Sequence, residues 1–196
     1  FEIDNDTITN FDEFIDVIDT TFILDIMSDY TNSTTSFFKK GINKEIDRIN
    51  DKLVIIQKMF KRIEGLFEND RACVKLVMSD KEGYYLKTTK KAYNSIKDHT
   101  RFIKLDEFDC NLSCHFQDFT HTSLNSNYVK IKGAPLTSLE CEKKRLEEDI
   151  KILIQEEYKR WCSIIANKYS GTITDVIKVI EEIDVSVSGA IIATKY

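Results

Sequence analysis

Between Ile42 and Phe67 the apolar residues Ile42, Ile46, Ile49, Leu53, Ile56, Phe60, Ile63 and Phe67 follow one another in alternating steps of four and three. Such steps keep one stripe along a helix only if that helix winds against a partner with a left-handed crossing. The spacing predicts a long helix, capped by Asn43 after Gly41 and ending near Asn69. It also requires a second helix. That partner is predicted from about Ser138 to Tyr169, with Leu139, Leu146, Ile150, Leu153, Trp161 and Ile164 as its buried stripe. Pro135 closes the segment before it, Thr137 or Ser138 is its expected cap, and Ser170-Gly171 is its expected end. A shorter amphipathic helix is predicted upstream, over Asn10 to Ser28, and another downstream around Val176, Ile177, Ile180 and Ile183.

The period changes between the two long helices. From Cys73, alternation at Val74, Leu76 and Met78 predicts a strand; Ser79 to Gly83 reads as a hairpin turn and Tyr84 to Thr89 as the return strand. Period-two alternation sends one of Tyr84 and Tyr85 into the interior. A turn or two of helix is expected in the run from Lys90 to His99, then a short strand at Arg101 to Leu105, and a last strand at Tyr128 to Lys132. Asp106 to Asn127 reads as loops and short elements. The fold class is thus α+β: a long antiparallel helical hairpin with a small β-rich module, residues 72–134, inserted at its tip between a first part, 1–71, and a second, 135–196.

Charge sharpens this division. The chain as a whole carries −5, with 42% hydrophobic and 31% charged residues, one proline and six glycines, which suits an ordered protein with long helices. From Ala72 to Gly133, ten Lys and Arg face seven Asp and Glu, a balance of +3, so the remainder carries −8. The expected tip is the one positive region. No apolar run reaches the ~18 residues of a membrane span. The start lacks an initiator Met and a secretory signal, and the chain is read as a piece of a longer protein. Five cysteines without framework spacing read as reduced thiols in an intracellular compartment, whether nucleus, cytoplasm or organelle.

Four runs, in this order, carry a family resemblance: FFKKGINKEIDRINDKL, VKLVMSDKEGYYLKTTKKAYNSI, YVKIKGAPLTSLECEKKRLEEDI and IEEIDVSVSGAIIATKY. Together with the spacing between them they cover most of the chain, and the sequence resembles the lever and clamp region of MutS DNA mismatch repair proteins. The resemblance implies a lever-borne clamp that closes on the backbone of double-stranded DNA without reading its sequence, in a parent that is a dimeric ATPase using ATP and magnesium. The family's mismatch-probing Phe-x-Glu motif and its Walker A loop are absent from this chain, so the chain itself is expected to be no enzyme, to hold no cofactor or metal, and to bind DNA weakly. The acidic stretch 99–127, with Asp106, Glu107, Asp109 and Asp118, departs from the family pattern and is a candidate surface for a protein partner.

Carried onto this sequence, the resemblance implies backbone contacts from Lys90, Lys91, Asn94, Lys97, Asn127, Lys130 and Lys132. Lys130 and Lys132 share a strand face, ~6.6 Å apart; such residues position a duplex rather than read its bases. Cys110, Cys114, His115 and His121 are of zinc-ligand type, but their C-x3-C-H-x5-H spacing fits no usual site, and Phe108, Leu112, Phe116 and Phe119 interleave them like core residues. The alternative to a DNA clamp is a structural coiled-coil arm whose tip docks a protein.

Overall fold

A computed structural model describes residues 4–28, 35–67, 74–97, 102–107 and 110–195, with side chains not described at 102–107, 110–113 and 195. Within these limits the chain combines five α-helices with two small antiparallel sheets. Its residues fall into two compact units: Phe1–Ile46 with Lys151–Tyr196, and Asp47–Ile150.

In the first unit, α1 (Asn5–Thr21) begins where the Asp4 carboxylate accepts from the Asp6 amide. The predicted single helix to Ser28 is instead broken at Phe22, before α2 (Leu24–Ser28). The break has a local cause. Phe22 forms a bridge to Phe38, and the Ile23 amide donates to the Phe37 carbonyl at 2.7 Å, so this stretch pairs as extended chain. Phe22, Phe37 and Phe38 are buried together; the Trp161 ring meets Phe22 edge-on at 6.1 Å, with the Arg160 guanidinium over it at 5.4 Å. Phe14 packs on Tyr169 at 5.4 Å.

Helix α3 (Lys44–Leu66) starts as its sequence predicts, with Asn43 Oδ1 accepting from the Glu45 and Ile46 amides at 3.0 and 3.3 Å. Asn43 also donates its amide to Glu157 at 3.0 Å. Burial pushes the Glu157 carboxyl up, but hydrogen bonds from Arg160 and Asn43 outweigh it and hold the group below its ordinary range.

Of the predicted seam on α3, Ile46, Ile49, Ile56, Phe60, Ile63 and Phe67 are buried, while Ile42 and Leu53 are half-buried. Ile55, Met59 and Leu66, outside the heptad stripe, are buried too. The stripe is broader than a heptad seam alone, and strands pack on this helix. Phe60 stacks on Tyr84 with ring centroids 4.5 Å apart, and Glu64 accepts from the Leu76 amide at 2.7 Å.

The four-stranded sheet has the order β1-β2-β6-β5, every pair antiparallel: β1 Lys75–Ser79, β2 Gly83–Thr89, β5 Phe119–Ser123 and β6 Tyr128–Gly133. β3 (Phe102–Glu107), where the sequence predicts a short strand, pairs with β4 (Cys110–His115) in a separate hairpin; β4 and β5 fall within the stretch read as loops and short elements, and α4 (Lys90–Ile96) follows β2. Gly133, paired with Phe119 on the neighbouring strand, leaves room for the Phe119 ring: a Cβ there would stand 2.6 Å from that ring and 2.7 Å from the Asp118 carbonyl.

Helix α5 (Ala134–Lys195) departs twice from the sequence reading. It begins before Thr137 and Ser138, placing Pro135 in the first turn, where a missing N–H costs nothing. It also runs through Ser170-Gly171. A helical glycine costs only about 1 kcal/mol, and the Ser170 carbonyl accepts from the Thr174 hydroxyl at 2.8 Å. Leu136, Leu139, Leu146, Ile150 and Ile154 are its buried stripe, with Leu153 half-buried beside Ile154. Among the described residues no helix is long and apolar enough to cross a membrane.

Candidate nucleic-acid interface

The site lies in the unit Asp47–Ile150, on the four-stranded sheet and α4. Strand alternation gives this sheet two unlike faces. One carries Leu86, Val129 and Ile131, all buried. Tyr84 belongs to it, pressed between the Phe60 ring and Lys143, whose ammonium lies 5.6 Å over the ring and donates to the phenol oxygen at 3.2 Å. Tyr84 is thus the inward member of the tyrosine pair.

The opposite face is basic. Register sets Lys75 opposite Lys87, Lys87 opposite Lys130, and Lys130 opposite Thr122, so three lysines cross three strands in a row. Lys87 lies 4.5 Å over the Tyr128 ring and Lys130 4.9 Å over the Tyr85 ring. Lys132 joins them two residues along β6. Lys130 and Lys132 therefore project from one face as their spacing predicts, but they are not equally open: the Lys130 side chain is 9% exposed and that of Lys132 is 41%. Both form ion pairs with Glu82 in the β1–β2 turn, Lys132 at 3.2 Å, and Lys132 also donates to the Glu82 carbonyl at 2.9 Å.

The turn is set by Gly83, whose φ of +69° is left-handed. Its next neighbour, the Tyr84 amide, donates at 3.0 Å to Glu140 on α5. Hydrogen bonds from Lys144 and from that amide hold the Glu140 carboxyl below its ordinary range. A Cβ on Gly83 would approach this carboxylate to 2.1 Å. Gly83→Ala should therefore cost about 1–2 kcal/mol from the left-handed backbone alone, with a further loss if Glu140 is displaced. A thermal melt of the variant checks it.

The remaining predicted contacts lie elsewhere. Lys90, Asn94 and Lys97 line a recess with Tyr93, His121, Ser123 and Val129. Val129 alternates with Lys130, so this recess opens on the face opposite the lysine row. Thr89 caps α4 by accepting from the Ala92 amide at 3.1 Å, and the Lys90 amide donates to the Asn127 carbonyl at 3.0 Å, tying the start of α4 to the β5–β6 turn. Lys91 is exposed on the same helix. The seven residues thus divide between two faces rather than forming one. Lys75, Lys87, Tyr128 and Glu82 on one face, and Tyr93 and Ser123 on the other, were not singled out by the sequence, while Tyr85 and His121 were named there for other reasons. The i, i+2 spacing of Tyr85 and Lys87 is the one local signal that could have found any of them.

Of the four zinc-type residues, the side chain of Cys110 lies outside the described residues. Cys114 is buried and its thiol is pushed up to about 11, mainly by burial, with Asp118 adding to it, which keeps it protonated at neutral pH. His115 points the other way along β4 and is exposed. His121 shares a 2.8 Å hydrogen bond with the Tyr93 hydroxyl, and their rings lie 4.4 Å apart. Among the described residues no three His, Cys, Asp or Glu side chains converge as a metal site would. The acidic side chains of Asp106, Glu107 and Asp109, proposed as a partner surface, also lie outside the described residues.

The chain is similar to a DNA mismatch repair MutS homolog of Acanthamoeba polyphaga mimivirus. Identity is 24% over 176 residues, which covers 82% of this chain and 16% of the relative. The chain thus spans about a sixth of the length of the curated relative it matches, and the similarity is distant. No protein-family model matches.

Proposed function

We propose that this chain is the lever and clamp region of a MutS-like DNA mismatch repair ATPase, and that it grips duplex DNA through the phosphate backbone without sequence specificity. In this reading α3 and the start of α5 are the antiparallel rods of the lever, and the sheet with α4 is the clamp. ATP, magnesium and dimerisation belong to the parent protein outside this chain, which itself does no chemistry. The similarity to the viral MutS homolog supports the assignment at family level. The observation that carries DNA gripping is the row Lys75, Lys87 and Lys130, with Lys132 beside it, on one face of a sheet in an otherwise acidic chain. Like charges set directly opposite across strands are unfavourable, and a polyanion removes that cost.

The test is anisotropy of a labelled duplex, matched and mismatched, titrated with the whole chain over a range of salt. Binding should be weak at physiological salt and equal for the two duplexes. The logarithm of the binding constant should fall with the logarithm of salt at a slope of about −3, as three to four phosphate contacts imply. Lys87→Glu combined with Lys132→Glu should weaken binding more than Lys90→Glu combined with Lys97→Glu, because the first pair sits on the lysine face. Mismatch-selective or salt-independent binding would overturn the reading.

A further inference from the structure

The lysine face already holds an anion. Glu82 reaches it from the β1–β2 turn, and its Oε2 is shared by the Lys130 and Lys132 ammonium groups. The cation is the covered member of the inner pair, at 9% exposure, and the carboxylate is the open one, at 46%. Lys130 is fixed from beneath by the Tyr85 ring, and its strand is central in the sheet. Glu82 stands on a short turn closed by the Glu82 amide donating to the Ser79 carbonyl at 3.2 Å. The cationic seat is therefore built into the sheet, while the anion that fills it can swing into solvent by side-chain rotation alone.

The surroundings favour a second anion once the first has left. Lys87 and Lys75 continue the positive row, and one carboxylate cannot neutralise two ammonium groups. Glu140, which acts on Lys132 from α5, is itself held by Lys144 and the Tyr84 amide.

We infer that Glu82 is an internal phosphate mimic: it occupies, on Lys130 and Lys132, the position that a phosphodiester of nucleic acid takes, and so the β1–β2 turn gates the basic face. This rests on the proposed grip on the DNA backbone. Each binding event then exchanges one bound carboxylate for one phosphate, which lowers both affinity and salt dependence relative to an open seat.

The experiment compares the wild-type chain with Glu82→Gln, Glu82→Ala and Asp80→Asn, using a labelled duplex and anisotropy across a salt series. Asp80→Asn removes the same charge from the same turn and serves as the control for a general electrostatic effect. Glu82→Gln and Glu82→Ala should each tighten binding roughly fivefold and steepen the salt slope by close to 0.9. Asp80→Asn should change affinity less than about twofold. Adding Lys132→Gln to Glu82→Gln should cancel most of the gain. If the wild type binds but the Glu82 variants bind no tighter than Asp80→Asn, the gate is overturned and the DNA-gripping reading stands. If neither the wild type nor the Glu82 variants bind at the lowest salt, both are overturned.

Discussion

Phe67→Ala should lower the stability of the unit Asp47–Ile150 by about 3–5 kcal/mol. Phe67 is 1% exposed, and its ring contacts Phe116 at 4.8 Å and Phe119 at 4.9 Å. Truncation removes these contacts and leaves a cavity that its walls cannot readily fill. Phe119 is paired with Gly133 on β6, where even one added carbon would meet its ring. A loss of this size is a large part of the ~5–15 kcal/mol that stabilises a domain. Urea unfolding followed by far-ultraviolet circular dichroism should show a lower midpoint with little change in slope, and Phe67→Leu a smaller loss. A cost below about 1 kcal/mol, the size of an average substitution, would mean that the ring cluster is not as described.

Asn43→Ala should cost roughly 2–4 kcal/mol, because two separate contributions fall on one side chain. Its oxygen caps α3, and its amide supplies a donor to Glu157, whose residue is only 8% exposed. Asn43→Ser should retain the cap but lose the donor, and so fall between the variant and the wild type. The pH dependence follows from the lowered Glu157 carboxyl. A group depressed in the folded state contributes stability that is complete above its unfolded value and is lost as pH falls through its folded value. The penalty of Asn43→Ala should therefore be largest near neutral pH and shrink on acidification through the carboxylate range. Urea midpoints measured at several pH values would show a penalty independent of pH if Glu157 were not stabilised by Asn43.

These residues also show where sequence patterning carries far and where it stops. The start of α3 was legible because a cap and a heptad stripe are local signals. So were β1, β2, α4 and β6, where alternation and turn residues agree. The width of the buried stripe on α3 was not legible, because Ile55, Met59 and Leu66 are buried outside the heptad positions and no local spacing marks them. Ser170-Gly171 reads as a stop, yet a single glycine within a long helix is a small cost that surrounding turns outweigh. The break at Phe22 was hidden for a related reason: its pairing partner, Phe38, is sixteen residues away.

The candidate site divides in the same way. That Lys130 and Lys132 share a face follows from the period of a strand. That Lys75 and Lys87 share it, and that Glu82 lies on it, depends on register between strands about 40 to 55 residues apart, which no window of sequence contains. His121 illustrates the converse error. Grouped with nearby cysteines because of its chemistry, it instead faces Tyr93 across the recess beside α4.

The chain's single tryptophan, Trp161, belongs to the unit Phe1–Ile46 with Lys151–Tyr196, where Phe22 and Arg160 pack on its indole. Its emission is thus a native optical label for that unit alone and is silent about the sheet. Comparing its red shift with loss of circular dichroism in Phe67→Ala would reveal whether the two units melt as one cooperative block or in succession.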